Sequence, residues 1–280
     1  MPDTNRPINS LSVNASYPKG LFVKSDGFTL IELITVMVVV AVISALSFGF
    51  YVTALESYAD TQERTRLVNR GRQAIEQITR QLRGAVPNSV RITNSGNCVE
   101  FLPLAGGGFY LAPVPDADNG AAASASIATA PFRVDFDSAR YVAIGALSSG
   151  ELYGGNSLAS LASALAEGTI QTNLTLSAGK VWLRNSSVSR FFLGANPQAF
   201  CLNGTELRYF YGYATPFTTT GTPSGSGHLL ASGVSSPSSI PFALEAGTAV
   251  RNTMAIIDLA FSEGGMQAPL RQEVFIRNAP

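Results

Sequence analysis

Glu32 is the residue whose position is most suited to chemistry, because it stands at the start of a long apolar segment. From Leu33 to Leu55 the sequence has no charged residue and no proline. A carboxylate costs about 2.5–3.5 kcal/mol at the centre of a bilayer and less near its edge. At the edge of the bilayer a carboxylate can neutralise a positively charged amine, since two opposite unit charges ~4 Å apart attract by about 4 kcal/mol at an effective dielectric constant of ~20. The alternative is an ordinary membrane anchor with an incidental glutamate.

The other residues capable of chemistry do not form a recognisable catalytic or metal-binding set. His228 lies in a Ser/Gly-rich stretch, and one histidine with two distant cysteines lacks transition-metal spacing. The string Asp116–Gly120 (DADNG) resembles the start of a calcium loop, but without the later carboxylate a polar turn is favoured. Gly106–Gly108 lack the lysine of a phosphate loop. We therefore expect no enzymatic activity, no cofactor and no metal.

Three tyrosines alternate along one predicted strand, at Tyr209, Tyr211 and Tyr213. Such a face can stack against sugars or bases. A packed or half-buried sheet face is the favoured interpretation, because aromatic pairs on neighbouring strands commonly stabilise sheets.

A long helix must position Glu32. The apolar segment would span ~35 Å as a helix, enough for a bilayer core of ~30 Å. From Glu56 to Gly84 the sequence continues without proline and becomes amphipathic, and Gly84 and Pro87 provide stop signals. Its apolar stripe has spacings of three and four residues and consists of Leu67, Gly71, Ala74, Ile75, Ile78 and Leu82.

Charge is balanced over the chain, with 19 Lys and Arg against 19 Asp and Glu. This balance argues against broad nucleic-acid binding. Six arginines lie mostly off the apolar stripe, and a solvated helix face is the favoured interpretation. Contact with acidic patches of neighbouring subunits, or with anionic lipid near Arg64 and Arg66, is the alternative, and DNA uptake is a third. The six are Arg64, Arg66, Arg70, Arg72, Arg80 and Arg83.

The string Gly27-Phe28-Thr29-Leu30-Ile31-Glu32, followed by the apolar segment, resembles the class III signal of type IV prepilins and type II secretion pseudopilins. The resemblance implies that a prepilin peptidase cuts after Gly27 and N-methylates Phe28. It also implies that Glu32 serves assembly by pairing with a neighbouring subunit's terminal amine. Residues 1–27 would then be a leader, kept in the cytoplasm by its basic excess and removed.

Segments of the remaining chain resemble the MshO family of minor pilins from the mannose-sensitive haemagglutinin (MSHA) pilus, a family related to W-type minor pilins and J-type pseudopilins. They are Arg72–Val90, Asn97–Phe101, Phe200–Gly204 with Leu207–Tyr209, and Arg271–Pro280. The resemblance implies an inner-membrane minor pilin that joins or primes a pilus tip complex with other major and minor pilins. The alternatives are a type II secretion pseudopilin and a tip adhesin.

Cys98 and Cys201 both follow the apolar segment, in the part that a prepilin exports. An even pair in an oxidising periplasm predicts one disulfide. Two unpaired buried thiols are the alternative.

The fold class expected is α+β, with a long N-terminal helix packed on an antiparallel β-sheet head. The predicted regions are the leader 1–27, a transmembrane and assembly helix 28–55, an amphipathic helix 56–86 and a β-rich periplasmic head 87–280. Ser157–Ala166 (SLASLASALA) is predicted as a short helix or ordered loop, and Ala105–Pro131 and Thr215–Ser239 as long loops. The predicted strands are Ser89–Thr93, Cys98–Leu102, Phe132–Phe136, Tyr141–Ile144, Lys180–Leu183, Phe200–Leu202, Leu207–Tyr213, Met254–Phe261 and Leu270–Arg277.

Overall fold

The computed structural model describes residues 27–213, 221–225, 227–245, 247 and 252–277. The predicted leader up to residue 26 and part of the second predicted loop lie outside these residues. The chain divides after Tyr58 into two compact units. The helices are α1 (Leu30–Arg83) and α2 (Ser149–Tyr153), with a 3-10 turn at Asn94–Gly96. The strands are β1 (Arg91–Thr93), β2 (Cys98–Phe101), β3 (Leu104–Phe109), β4 (Ser124–Arg133), β5 (Ala139–Ile144), β6 (Leu158–Leu165), β7 (Ile170–Lys180), β8 (Arg190–Gly194), β9 (Gln198–Asn203), β10 (Glu206–Phe210), β11 (His228–Ser232), β12 (Val234–Ser235), β13 (Phe242–Glu245), β14 (Thr253–Glu263) and β15 (Met266–Ile276).

Helix α1 ends next to Gly84, the first of the two predicted stop signals. Its last helical residue is Arg83, and the N–H of Gly84 donates to the carbonyl of Arg80 at 3.2 Å. Arg80 and Arg83 place positive charge at the carboxyl end of the helix, where its dipole favours cations. In the second unit the predicted apolar stripe is buried, and Thr79 is buried with it. The amphipathic assignment of this part of α1 is therefore confirmed.

The buried stripe of α1 shares one hydrophobic core with two antiparallel sheets. Sheet A has the strand order β1-β2-β9-β10-β11. In sheet B, β12 and β13 pair with successive parts of β14, and β15 pairs with β14 along its full length. The α+β class with a long helix packed on antiparallel sheets is thus confirmed.

The remaining six strands form a barrel that the sequence analysis did not predict. Their order is β3-β8-β5-β6-β7-β4, with every pairing antiparallel. The two end strands then meet through bridges between Gly106 and Val134 and between Tyr110 and Thr129. The closed sheet surrounds its own core, in which Trp182 and Phe191 are among the fully buried side chains.

Glycines make the closure of the barrel possible. A Cβ atom on Gly106 would lie 2.9 Å from the carbonyl oxygen of Arg133, across the seam between β3 and β4. A Cβ on Gly108 would lie 2.8 Å from the buried ring of Phe191. The Gly106–Gly108 run that lacks the features of a phosphate loop therefore serves close packing of backbone and ring.

The barrel is inserted between two neighbouring strands of sheet A. The chain leaves sheet A at the end of β2 and returns at the start of β9, and Phe101 and Gln198 are paired residues of these strands. A third buried cluster, which includes Val86, Leu102 and Tyr153, packs beside the barrel. The Tyr153 hydroxyl donates to the carbonyl of Ser89 at 2.8 Å. An insertion with its own core is thus attached to sheet A by two adjacent crossings and lateral contacts.

Several local predictions are wrong. Ser157–Ala166 contains strand β6, because Leu158 and Leu161, three residues apart, face opposite sides of a strand and both sides are buried. Ala105–Pro131 contains most of β3 and β4 instead of one loop, and Thr215–Ser239 contains β11 and β12. The strand predicted at Phe132–Phe136 lies earlier, as β4, and Lys180–Leu183 begins where β7 ends.

Candidate functional site

The start of α1 positions the residues expected to be processed. Gly27, Phe28 and Thr29 precede the helix, and Phe28 is 79% exposed. Thr29 caps the helix, since its Oγ1 accepts the Glu32 N–H at 3.3 Å. A Thr-x-x-Glu sequence at a helix start is the pattern of a capping box. Thr29 thereby fixes the turn that separates Phe28 from Glu32.

The Glu32 carboxylate has no hydrogen-bond or ion-pair partner among the described residues. Its backbone is engaged, because its carbonyl accepts the Thr35 hydroxyl at 2.9 Å. The side chain is exposed in the first turn of the helix, where the positive end of the dipole favours a carboxylate. A negative charge is therefore presented at the edge of an apolar surface and is available to a cation from outside this chain.

The first unit exposes its apolar side chains along the whole helical surface. α1 is the one helix of the described chain that is long and apolar enough to cross a membrane. Large exposed side chains include Leu33, Val39, Leu46, Phe50 and Leu55. A surface of this kind is stable when lipid or another apolar helix covers it.

The arginines of α1 have different surroundings. Arg70 Nη2 lies 2.7 Å from Glu263 Oε2, so this side chain is paired with the last residue of β14. Arg70 therefore contacts sheet B. The interpretation of the six arginines as a solvated helix face does not apply to Arg70.

Cys98 and Cys201 form a disulfide, with Cα atoms 4.1 Å apart. They are directly opposite residues of β2 and β9. The bond therefore joins the strands at which the barrel leaves and rejoins sheet A, and the loop that it closes contains the whole barrel.

The DADNG string forms a polar turn that uses its own carboxylate. Asp116 Oδ1 accepts the N–H groups of Asp118 and Asn119, at 3.1 and 2.8 Å. Oδ2 accepts both the backbone and the side-chain N–H of Asn185. The side-chain bond from Asn185 is the main cause that lowers the pKa of Asp116. The described residues also contain no group of three or more His, Cys, Asp or Glu that could hold a metal ion.

The three tyrosines do not share one face. Tyr209 stacks on Phe200 in the helix-facing core, and burial raises its pKa to about 12. Gly212 has φ +71° and turns the chain, so that Tyr213 lies beside the disulfide on the other side of sheet A. The predicted common face therefore fails at Tyr213, whereas the rings of Tyr209 and Tyr211 lie 5.4 Å apart and the favoured packed interpretation holds for Tyr209. Tyr211 remains 53% exposed and stacks on His228, with ring centroids 4.9 Å apart.

A buried network beside the disulfide was missed by sequence reasoning. Tyr213 donates to Glu100 Oε1 at 2.7 Å, and Arg91 Nε donates to Glu100 Oε2 at 2.5 Å. Burial is the main cause that raises the pKa of Tyr213, and the Glu100 charge adds to it. The two partners satisfy a carboxylate that would otherwise be costly to bury. Tyr213 is 113 residues from Glu100 in the sequence, and the three residues of the network form no motif.

Residues 23–48 match the family model of the prokaryotic N-terminal methylation motif. No curated protein matches the chain, and no solved structure does. The match covers Thr29, Glu32 and the exposed apolar helix as far as Phe48. The chain therefore carries a class III signal like those of type IV pilins and pseudopilins. Such a signal implies a prepilin peptidase substrate, pilin-like partners and attachment to a membrane through the apolar helix.

Proposed function

We propose that this chain is a minor pilin of an MSHA-type type IV pilus, joining or priming the tip complex. A prepilin peptidase cuts after Gly27 and N-methylates Phe28, and the second unit lies in the periplasm before assembly. The Glu32 carboxylate, which has no partner among the described residues and lies at the start of an exposed apolar helix, carries the proposal. Lateral packing of such helices places Glu32 of one subunit against the Phe28 amine of its neighbour, and each neutralises the other.

Glu32 variants separate assembly from helix capping. We expect Glu32→Gln to insert, to be cut after Gly27 and to fail in pilus assembly. Glutamine retains the capping-box pattern, but it leaves the neighbour's amine unpaired, at a cost of several kcal/mol. Glu32→Asp, which retains the charge, is the matched control and should retain part of the assembly. The measurements are intact mass of the processed chain, pili per cell and crosslinking to partner pilins.

Normal piliation with Glu32→Gln as the only copy would show that the charge is dispensable. A mature mass that begins at Met1 would contradict the processing itself. Deletion of the whole gene distinguishes the two pilin-like functions. Loss of pili supports the minor pilin. Normal pili with defective protein secretion would indicate a type II secretion pseudopilin. Normal pili that no longer attach would indicate a tip adhesin.

A further inference from the structure

The outer edge of β15 is a free strand edge. β15 pairs with β14 along its whole length, from Met266 opposite Glu263 to Ile276 opposite Thr253. No described strand pairs with the other side of β15. Strand edges of this length expose backbone N–H and C=O groups to pairing with another chain.

The direction of each backbone group on β15 follows from β14. The Asp258 N–H donates to the carbonyl of Pro241 on the β13 side. The backbone N–H and C=O groups of the even-numbered residues of β14 therefore point away from β15. Paired residues of β14 and β15 have opposite parity. Because neighbouring residues of a strand alternate in direction, the odd-numbered residues of β15 turn their backbone groups outward. Pro269, which has no N–H, occupies one of these outward positions, as prolines do on edge strands.

The open part of the edge therefore includes Arg271, Glu273 and Phe275. One outward carbonyl, that of Glu273, accepts the Gln272 side chain at 2.9 Å. All three side chains are exposed, and Phe275 is 57% exposed. An added strand can pair with these residues without disturbing the ladder between β14 and β15.

Two cavities lie along this edge, and Arg83 lines both. One, of about 460 Å³, lies between α1 and residues 270–272 of β15. The other, of about 470 Å³, includes Leu104, Phe192 and Phe275. Thr79 lines the first cavity and is only 9% exposed, and its Oγ1 has no hydrogen-bond partner in the described part of the chain. We call the edge and the two cavities the β15 groove.

The β15 groove is rich in positive charge. Its cavities are lined by five arginines, Arg72, Arg83, Arg190, Arg271 and Arg277, and one acidic residue, Glu76. Across the described residues, Arg72, Arg83 and Arg277 have no ion-pair partner, and Arg271 lies 3.9 Å from Glu273. A partner that fits is acidic and partly apolar. A second copy of this chain is disfavoured, because it would bring the same arginines to the groove.

We propose that the β15 groove binds an extended acidic segment of another protein as an added β-strand. The segment pairs with Arg271–Phe275 through its backbone, places carboxylates against the arginines and packs apolar side chains on Phe275. This site lies wholly in the second unit, and its function is separate from the assembly of the N-terminal helix.

Two substitutions at Glu273 test the strand pairing, because only one of them is expected to weaken binding. The probe is a fluorescent peptide of alternating glutamate and valine, titrated against the full-length protein in uncharged detergent. Glu273→Gln removes a repelling carboxylate, so binding should be equal or tighter. Glu273→Pro removes the same carboxylate and also an outward N–H, so binding should be about tenfold weaker. Thermal unfolding of each variant checks that its fold is retained, as Pro269 in an equivalent position leads us to expect.

The charge requirement has its own variants. Arg83→Gln should weaken binding of the glutamate–valine peptide severalfold and reduce its dependence on salt. Arg80→Gln removes an arginine from the same helical turn outside both cavities, and binding should be unchanged. A peptide of alternating lysine and valine should not bind.

Three results would overturn the proposal: no binding of the glutamate–valine peptide to the wild type, equal binding by Glu273→Pro and Glu273→Gln, or equal binding of the lysine peptide. Equal binding of the glutamate–valine peptide by the wild type and Glu273→Pro would also overturn it, because the groove would then attract charge without pairing a strand. Each readout is independent of processing at Gly27 and of the charge at Glu32.

Discussion

Glu151 holds the short helix α2 in place through hydrogen bonds to charged and backbone groups. Its carboxylate accepts Nη1 and Nη2 of Arg184 at 2.5 and 3.1 Å and the Leu147 N–H at 2.9 Å. The Glu151 N–H in turn donates to Ser148 Oγ, the cap of α2. The Arg184 bonds are the main cause that lowers the pKa of Glu151. A bidentate pair of this kind is stronger than most surface pairs.

We expect Glu151→Gln to destabilise the protein by about 1 kcal/mol at pH 7. Because folding lowers the pKa of Glu151, its stabilisation is present above the unfolded pKa of ~4.3 and is lost as pH falls through the folded value. The free-energy difference between wild type and variant, measured by urea unfolding, should therefore disappear in acid.

Glu263→Gln is the matched control for this prediction. Glu263 pairs with Arg70 but its side chain is 65% exposed, so its contribution and its pH dependence should be small. A difference between wild type and Glu151→Gln that stays constant down to strongly acidic pH would contradict the assigned role of the Arg184 pair.

The disulfide gives a second prediction at the residue scale. Both sulfurs belong to fully buried residues, so neither should react with a thiol reagent until the protein is reduced and unfolded. Cys98→Ser with Cys201→Ser should destabilise the second unit by up to ~4.7 kcal/mol, the chain-entropy value for a loop of about 100 residues. Non-reducing intact mass and urea unfolding are the measurements. Labelling of either cysteine in the native protein would be incompatible with the bond.

At the scale of elements, Gly71 sets how closely α1 approaches sheet B. A Cβ atom there would lie 2.6 Å from Leu270 Cδ1 and 2.8 Å from Phe261 Cδ2. The leucine tip can move, but the phenylalanine ring is fully buried. The smallest residue is therefore required at this crossing of helix and strands.

We expect Gly71→Ala to destabilise the protein by about 1–2 kcal/mol, because overpacking outweighs the gain in helix propensity. Gly84→Ala is the control, since its Cβ would meet only backbone oxygens at 3.6 Å. Thermal unfolding of the two variants provides the comparison. An unchanged or raised melting temperature for Gly71→Ala would show that α1 can move away from sheet B without cost.

The sequence correctly predicts elements that bury only one face, because their apolar residues then recur with a regular spacing. The stripe from Leu67 to Leu82 has this character, and its burial matches the prediction. β6 does not, because Leu158 packs outside the barrel while Leu161 packs inside it. Their three-residue spacing therefore resembles helical periodicity. Barrel closure depends on contacts between β3 and β4 that no local pattern encodes.

The functional residues likewise fall into those that the sequence reveals and those that only the fold brings together. The Thr29–Glu32 turn and the apolar helix are contiguous, so their arrangement is readable from sequence. The β15 groove combines residues from α1, β3, β8 and β15 and becomes visible only when the strands are paired.

At the scale of the whole molecule, the barrel is an insertion that the rest of the second unit does not need for its core. Its interior cluster is separate from the core shared by α1 and the two sheets. Leu104 and Gly194 are paired residues at the base of the barrel, and Ala195 donates to Pro103 just below them. A short turn can therefore join the two chain crossings without altering sheet A.

We expect a variant in which Asn-Gly replaces residues 105–193 to fold and to form the Cys98–Cys201 disulfide. It should be less stable, because the cluster around Val86 and Leu102 loses its barrel partners. Cooperative urea unfolding and non-reducing intact mass are the measurements. Aggregation with both thiols free would show that sheet A depends on the barrel.

The Cys98–Cys201 bond also determines how the second unit bears mechanical load. Tension applied through the far end of the barrel reaches sheet A at Phe101 and Gln198, the first pair that would separate. Unzipping of β2 from β9 could pass through three pairs, ending with Val99 and Phe200, before it met the covalent bond. Extension stops there, so α1 and the strands beyond the bond are shielded from a pull that would otherwise peel sheet A apart.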